Sequence, residues 1–286
     1  MYRGRFAPSP TGPLHFGSLV AALASYLEAR RHGGQWLLRI EDTDTPRCSA
    51  SAAEAILHVL FELGFRWDGD VEYQSQRTDL YQRELRRLGA HVYACSCSRK
   101  EISESAEGRY PGTCRKGMEA GKPVRALRLR VADQVIEFAD SLQGTYRANL
   151  ENDPGDFVLL RPGAGIFSYQ LAVVVDDQAQ GVTHVVRGAD LLDSTPRQIY
   201  LQQLLGYRHL QYTHIPVAIG PDGEKLSKQT LAPALDAGLP HQVLDQALRF
   251  LGQEPPGGLS LEALWDWASS YWNVAKIPPG LGRQAP

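Results

Sequence analysis

Two short segments, far apart in the chain, carry residue types suited to holding a nucleoside triphosphate. Ser9-Pro10-Thr11-Gly12-Pro13-Leu14-His15-Phe16-Gly17-Ser18 follows an apolar strand candidate, Arg3 to Ala7, and opens a helix. A helix start offers unpaired backbone N–H groups and the positive end of its dipole to phosphate, and Gly17 lets a nucleotide approach the backbone closely. Glu224-Lys225-Leu226-Ser227-Lys228-Gln229 follows a second strand candidate, Tyr212 to Ile219, and a turn at Gly220-Pro221-Asp222-Gly223. Its two lysines can neutralise triphosphate charge on a mobile loop. They are two of six lysines in a chain with 30 basic residues, so their placement within one short loop is telling. A third group is Cys95-Ser96-Cys97 with Cys114, three thiols within a stretch of twenty residues. Such a set suits tetrahedral zinc better than a disulfide, with His91 competing for the fourth place. Cys48 stands apart, a half-buried thiol without a role.

The elements that must position these groups follow a doubly wound pattern. Phe16 to Arg31 is amphipathic through Leu19, Val20, Leu23 and Leu27 and stops at Gly33-Gly34. Gln35 to Ile40 reads as a buried strand, and Ser51-Ala52-Ala53-Glu54 as a capping box before a helix through Ile56 and Leu60. Val182 to Val186 and Pro196 to Leu205 give a second strand and helix, capped by Ser194 or Thr195. Alternation of this kind predicts an α/β fold, a Rossmann-like parallel sheet whose two halves each carry one nucleotide jaw.

Four segments are expected: 1–89 as the first half of the catalytic domain, 90–165 as an inserted zinc-bearing α+β subdomain, 166–235 as the second half with the lysine loop, and 236–286 as a helical region. In the insertion, Val124 to Val131 and Val135 to Phe138 read as strands; Pro240 to Leu251 and Leu259 to Tyr271 read as helices; the chain from Ile277 onward reads as a frayed tail. A length of 286 residues with 43% hydrophobic content supports a real core, and a net charge of −2 gives no bulk field for nucleic acid. No apolar run approaches membrane length and the N-terminus enters a strand directly, so a cytoplasmic enzyme with no membrane partner is the expectation.

The two jaws resemble the HIGH and KMSKS signatures of class I aminoacyl-tRNA synthetases, with Ser18 in place of the second histidine and Gln229 in place of the final serine. Arg5-Phe6-Ala7-Pro8-Ser9, Leu38-Arg39-Ile40-Glu41-Asp42-Thr43-Asp44, the run from Ser168 to Asp177 and the run from Thr183 to Asp190 resemble the glutamyl and glutaminyl group. That resemblance implies a site for glutamate, whose two carboxylates and one ammonium each need an opposite charge in a cleft. It implies that Arg5, Phe6, Ala7, Pro8 and Ser9 contact glutamate from the first strand end, that Glu41 takes the ammonium, and that Tyr169 and Arg187 close the other side. Which arginine holds the side-chain carboxylate stays open. Asp42 and Asp44 could pass for a metal pair; Thr43 and Asp44 read instead as loop-ordering residues.

Cys-x-Cys followed by Tyr-x-x-x-Cys resembles the zinc site of the glutamyl-queuosine tRNA(Asp) synthetases, which implies Cys95, Cys97, Tyr110 and Cys114 as ligands. Fifty-seven residues follow Gln229, too few for a large anticodon-reading domain, which is another likeness to that family. The resemblance implies a monomer that binds ATP with Mg²⁺, activates L-glutamate, and passes it to queuosine in tRNA(Asp). His15, Gly17, Ser18 and Lys228 are then the ATP-binding residues, and His15, Lys225 and Lys228 the catalytic ones. A shortened glutamyl-tRNA synthetase charging a tRNA 3′ end, a non-catalytic tRNA-binding paralogue and a nucleotidyltransferase acting on a small molecule are the competing readings.

Overall fold

Parallel strands linked by helices build the first half. In the computed structural model, which describes all residues except 105–109, 222, 227–234, 236–237 and 286, β1 (Arg3–Phe6), α1 (Phe16–Arg31), β2 (Gln35–Ile40), α2 (Ala50–Glu62) and β3 (Glu72–Tyr73) follow in sequence. Their strands pair in parallel in the order β1-β2-β3. Helix α1 buries Leu19, Val20, Leu23 and Leu27 as their spacing suggests, but Ala22, Ala24, Ser25 and Ala29 are buried too, so it is enclosed on most sides rather than along one amphipathic stripe. It ends where Gly34 passes so close to Tyr2 that a Cβ there would lie 2.4 Å from the Tyr2 carbonyl oxygen. The cap of α2 is Ser49, whose Oγ accepts from Ala52 N at 3.1 Å; Ser51, the expected cap, lies inside the helix.

The segment between the halves divides between two sheets. After α3 (Thr78–Arg87) come β4 (Val92–Cys95), α4 (Arg99–Ser103), β5 (Ala126–Leu129), the hairpin β6 (Val135–Asp140) and β7 (Gly144–Asn149), then β8 (Phe157–Arg161) and β9 (Ile166–Phe167). Strands β4, β5, β8 and β9 form an antiparallel sheet of their own. The hairpin instead adds to the second half of the parallel sheet, where Tyr212 pairs with Asp140.

That second half runs α5 (Tyr169–Ala179), β10 (His184–Gly188), α6 (Thr195–Leu205), β11 (Gln211–Ile215) and β12 (Val217–Ile219). The single strand expected over 212–219 is two, because Pro216 has no N–H for a ladder. Strands β1 and β10 run side by side: Thr183 N donates to Arg3 O and Arg3 N to Thr183 Oγ1, both at 2.9 Å. The strand order turns there from one half to the other, the position at which open α/β sheets bind ligands outside the carboxyl ends of their strands.

Helices α7 (Pro240–Phe250) and α8 (Leu261–Tyr271) pack their buried faces into the core cluster of α1, including Leu244, Leu248 and Leu264. A second cluster gathers α3, α5 and α6 with the inserted strands. The end of the chain is not the frayed tail that its composition suggests. Ile277 is buried, and β13 (Gly282–Gln284) pairs in parallel with β12. Val217 N donates to Leu281 O at 3.0 Å and Ala285 N to Ile219 O at 2.9 Å, so the tail satisfies an edge that β12 would otherwise leave open. Among the described residues no helix is long and apolar enough to cross a membrane.

Candidate active site

Both jaws open onto one cavity of about 750 Å³ at the carboxyl ends of β1 and β10. Arg5, Phe6, Ala7, Pro8, Ser9, His15, Gly17, Ser18, Glu41, Tyr169, Arg187 and Lys225 all line it. Lys228, with Ser227 and Gln229, lies outside the described residues. Sequence reasoning assigned no role to several other lining residues, notably Thr11, Leu14, Asp190, Leu191, Glu224 and the stretch Ile215 to Ala218.

The first jaw is built by the β1–α1 connection. His15 is the N-cap of α1, with its Nδ1 accepting from Ser18 N at 3.3 Å and its Nε2 lying 3.0 Å from Ser18 Oγ. Ser18 thus pairs with His15 directly. Gly17 sits where the jaws meet, since a Cβ on it would lie 3.3 Å from the His15 ring and 3.5 Å from the Leu226 carbonyl oxygen. The second jaw is stitched to β12: Leu226 N donates to Ala218 O and Gly220 N to Glu224 O, each at 2.8 Å. Lys225 Nζ lies 2.5 Å from Asp190 Oδ2, so this lysine is held by a carboxylate of the opposite wall rather than standing in a free loop.

The charged floor comes from strands β1 and β2 and the far end of α5. Glu41 N donates to Pro8 O at 3.0 Å, which sets Glu41 beside the first strand end. Arg5 Nε reaches Asp177 Oδ1 at 3.2 Å, and Arg39, fully buried, reaches Asp177 at 2.9 Å, Glu41 at 3.4 Å and Asp176 at 3.8 Å. Arg77 adds a 2.7 Å contact to Asp176. Arg5 and Arg39 hold Asp177 below the usual carboxylate range although burial opposes this. Glu41 goes the other way: burial, aided by Asp177 and Asp176, outweighs Arg39 and Arg5 and pushes its carboxyl up to about 7. A buried acid that resists ionisation in this way is the one that gains most from a cationic ligand.

Arg187, on β10, faces Glu41 across the cavity walls with its guanidinium closely held. Nη1 donates to Tyr169 Oη at 3.1 Å, Nη2 to Thr195 Oγ1 at 2.8 Å and to Leu191 O at 3.4 Å, and Nε to His214 Nε2 at 3.0 Å. Tyr169 is presented by the first turn of α5, whose cap is Ser168. Asp42 accepts from Ser75 N at 2.8 Å and Oγ at 2.7 Å, and Asp44 pairs with Arg47, so both order loops.

The thiol cluster forms separately, at the end of β4. The sulfur atoms of Cys95, Cys97 and Cys114 all lie within 4.8 Å of one another, Cys97 and Cys114 at 3.7 Å. Zinc–sulfur bonds of about 2.3 Å put tetrahedral ligands about 3.8 Å apart, so the donor set fits the metal. Tyr110 Oη lies 3.5 Å from Cys95 Sγ and accepts from Cys114 N at 2.8 Å; His91 is not in the cluster. Burial resists the Cys114 thiolate, but hydrogen bonds from Ser96 and Tyr110 bring it down to about 7, while burial and the neighbouring sulfurs push Cys97 up to about 11. Cys48 lies apart, half-buried, its Sγ 3.9 Å from Glu41 O.

Residues 1–258 match the family model of the class I tRNA synthetase (E and Q) catalytic domain. The glutamyl-Q tRNA(Asp) synthetase of Dechloromonas aromatica is 56% identical, over 97% of this chain and 96% of its own length. That of Neisseria meningitidis serogroup B is 51% identical over 97% and 98%. Among solved structures, the glutamate tRNA ligase of Elizabethkingia meningosepticum in complex with its amino acid superposes with a TM-score of 0.83 at 25% identity, covering all of this chain and 67% of the ligase.

Proposed function

Because this chain belongs to the class I tRNA synthetases of the glutamate and glutamine type, within their glutamyl-Q tRNA(Asp) branch, we propose that it activates L-glutamate with ATP and transfers it to queuosine in tRNA(Asp). The observation that carries the reading is the single cavity onto which a phosphate-suited helix start, a lysine-bearing loop stem and a glutamate-matched set of charges converge.

The reaction asks for no side-chain nucleophile. A carboxylate oxygen of glutamate attacks the α-phosphorus of ATP, the bond to the β-phosphate's bridging oxygen breaks, and pyrophosphate leaves. A hydroxyl of the queuosine cyclopentene ring then loses its proton in attacking the acyl carbon, and AMP leaves. What the protein supplies is alignment and charge. Arg5 and Arg187 hold glutamate's carboxylates, Glu41 its ammonium, and the β1 end from Phe6 to Ser9 fits against its body. His15, Gly17, Ser18 and the start of α1 receive the phosphates, and Lys225 and Lys228 offset charge growing toward pyrophosphate; Mg²⁺ bound to ATP would supply further charge neutralisation there. Cys95, Cys97, Cys114 and Tyr110 would hold a zinc ion, whose contribution there would be structural, away from the cavity. The enzyme works as a monomer in the cytoplasm, where ATP and tRNA are found.

The deciding experiment offers labelled glutamate and ATP to tRNA(Asp) with and without queuosine. Label is expected on the modified tRNA alone, in a linkage independent of the 3′ end; equal labelling of both would refute the acceptor. The raised Glu41 gives the first step a pH signature. Only the ionised carboxylate attracts the ammonium, so the KM for glutamate in ATP–pyrophosphate exchange should rise as pH falls below about 7, by up to about tenfold per unit, and level off above it. A KM flat from pH 8 down to pH 6 would contradict the role of Glu41. For the metal, about one zinc per chain is expected, and Cys114→Ser should lose it. Exchange should fall less than metal content, since no residue of the cluster lines the cavity.

A further inference from the structure

The hydrogen bonds around Arg187 assign a role to two residues outside the cavity. His214, on β11, is fully buried, and its Nδ1 lies 2.6 Å from Asp140 Oδ2. A guanidinium cannot accept a hydrogen bond, so the 3.0 Å contact between Arg187 Nε and His214 Nε2 requires that Nε2 be the acceptor. The ring proton is then on Nδ1 and is donated to Asp140. Asp140 is itself fixed, accepting from the backbone N–H of His214, and from Leu142 N and Gln143 N at 3.0 Å each. It ends β6, so the inserted hairpin sets the tautomer of a histidine on the main sheet.

Arg187 has five N–H groups, and His214, Tyr169, Thr195 and Leu191 take four of them. The remaining one is on Nη1, and its direction is dictated by the other four. We propose that His214, set by Asp140, is a positioning residue for glutamate: it holds the inner edge of Arg187 so that one N–H and the charge point at a substrate carboxylate. This rests on the reading that Arg187 contacts glutamate.

Three variants test it in steady-state ATP–pyrophosphate exchange. His214→Leu keeps the volume and removes the acceptor; a glutamate KM at least tenfold higher is expected, with kcat and the KM for ATP within about threefold, the pattern of a lost ground-state contact. His214→Gln can accept from Arg187 Nε through Oε1, so it should recover most of that loss. Asp140→Asn keeps the shape but can donate to Nδ1, which favours the other tautomer and turns an N–H toward Arg187; its glutamate KM should rise as in His214→Leu. Equal losses in the Leu and Gln variants, or KM values for glutamate and ATP rising together, would reduce His214 to a packing residue and overturn the proposal. An unchanged glutamate KM in Asp140→Asn would do the same, and this variant and His214→Gln decide the matter if the leucine protein does not fold. Arg187→Ala separates the premise: no effect there refutes the role of Arg187, whereas a large effect beside a silent His214→Leu refutes only the role of His214.

Discussion

Replacing Lys228 with alanine is expected to slow glutamate-dependent ATP–pyrophosphate exchange by about 10²–10³, with a smaller change in the KM for ATP. A donor that meets charge only as it develops in the transition state has an effect of that size on the rate rather than on ground-state binding. The two lysines of the loop are not equivalent in this respect. Lys225 is joined to Asp190, so part of its charge is already answered before ATP arrives. Lys225→Ala is therefore expected to cost less than Lys228→Ala. An exchange rate for Lys228→Ala within a few-fold of the parent would remove Lys228 from the mechanism.

Arg187→Ala should lower kcat/KM for glutamate by about 30-fold to several thousand-fold, the equivalent of about 2–5 kcal/mol for truncating one partner of a buried charge pair. Glutamate would lose a cationic partner, Tyr169 Oη and Thr195 Oγ1 would lose the Arg187 donor, and His214 Nε2 would keep only the Thr195 hydroxyl 3.1 Å away. Arg187 is a cleaner test than Arg5. Removing Arg5 takes a counter-charge from Asp177, buried within the network that also holds Arg39 and Glu41, so lost activity could follow from lost folding. Saturation with glutamate should restore much of the Arg187→Ala rate. A glutamate kcat/KM within threefold of the parent would take Arg187 out of the site.

What could be read from the sequence was local. The turn at Gly12-Pro13, the helix start at His15 and the stem before Lys225 are written in short-range chemistry, and the structure brings the two segments to one cavity. Phe16–Arg31 and Gln35–Ile40 were legible to the residue, from their apolar content and the Gly33-Gly34 break between them. The residues that fix the charges were not. Asp177 and Arg5 are 172 positions apart and Asp140 and His214 74 apart, and no periodicity encodes such a pairing. Two neighbouring acids at the polar end of an apolar helix, Asp176-Asp177, were the available signal. The tail misled for a related reason: Gly282-Arg283-Gln284 has little strand propensity, and its conformation comes from the open edge of β12. At α2 the sequence pointed to Ser51, but the helix is capped two residues earlier by Ser49, whose N–H is held by Pro10 O at 3.1 Å, a long-range contact that no local pattern encodes.

The junction of β1 with β10 also sets the order in which the molecule can be made. Its hydrogen bonds link Arg3 with Thr183, and the floor of the cavity links Arg5 with Asp177, so neither can form until well over half of the chain has been synthesised. Contacts of such sequence separation form slowly, because a long loop must close before they return any energy. Until then a growing chain that has already folded α1 against β1 and β2 presents the free side of β1 as an unpaired row of N–H and C=O groups. The nascent N-terminal half is accordingly the species most prone to aggregate, and ribosome-bound chains arrested before His184 should be held by chaperones more than chains arrested after Ile215.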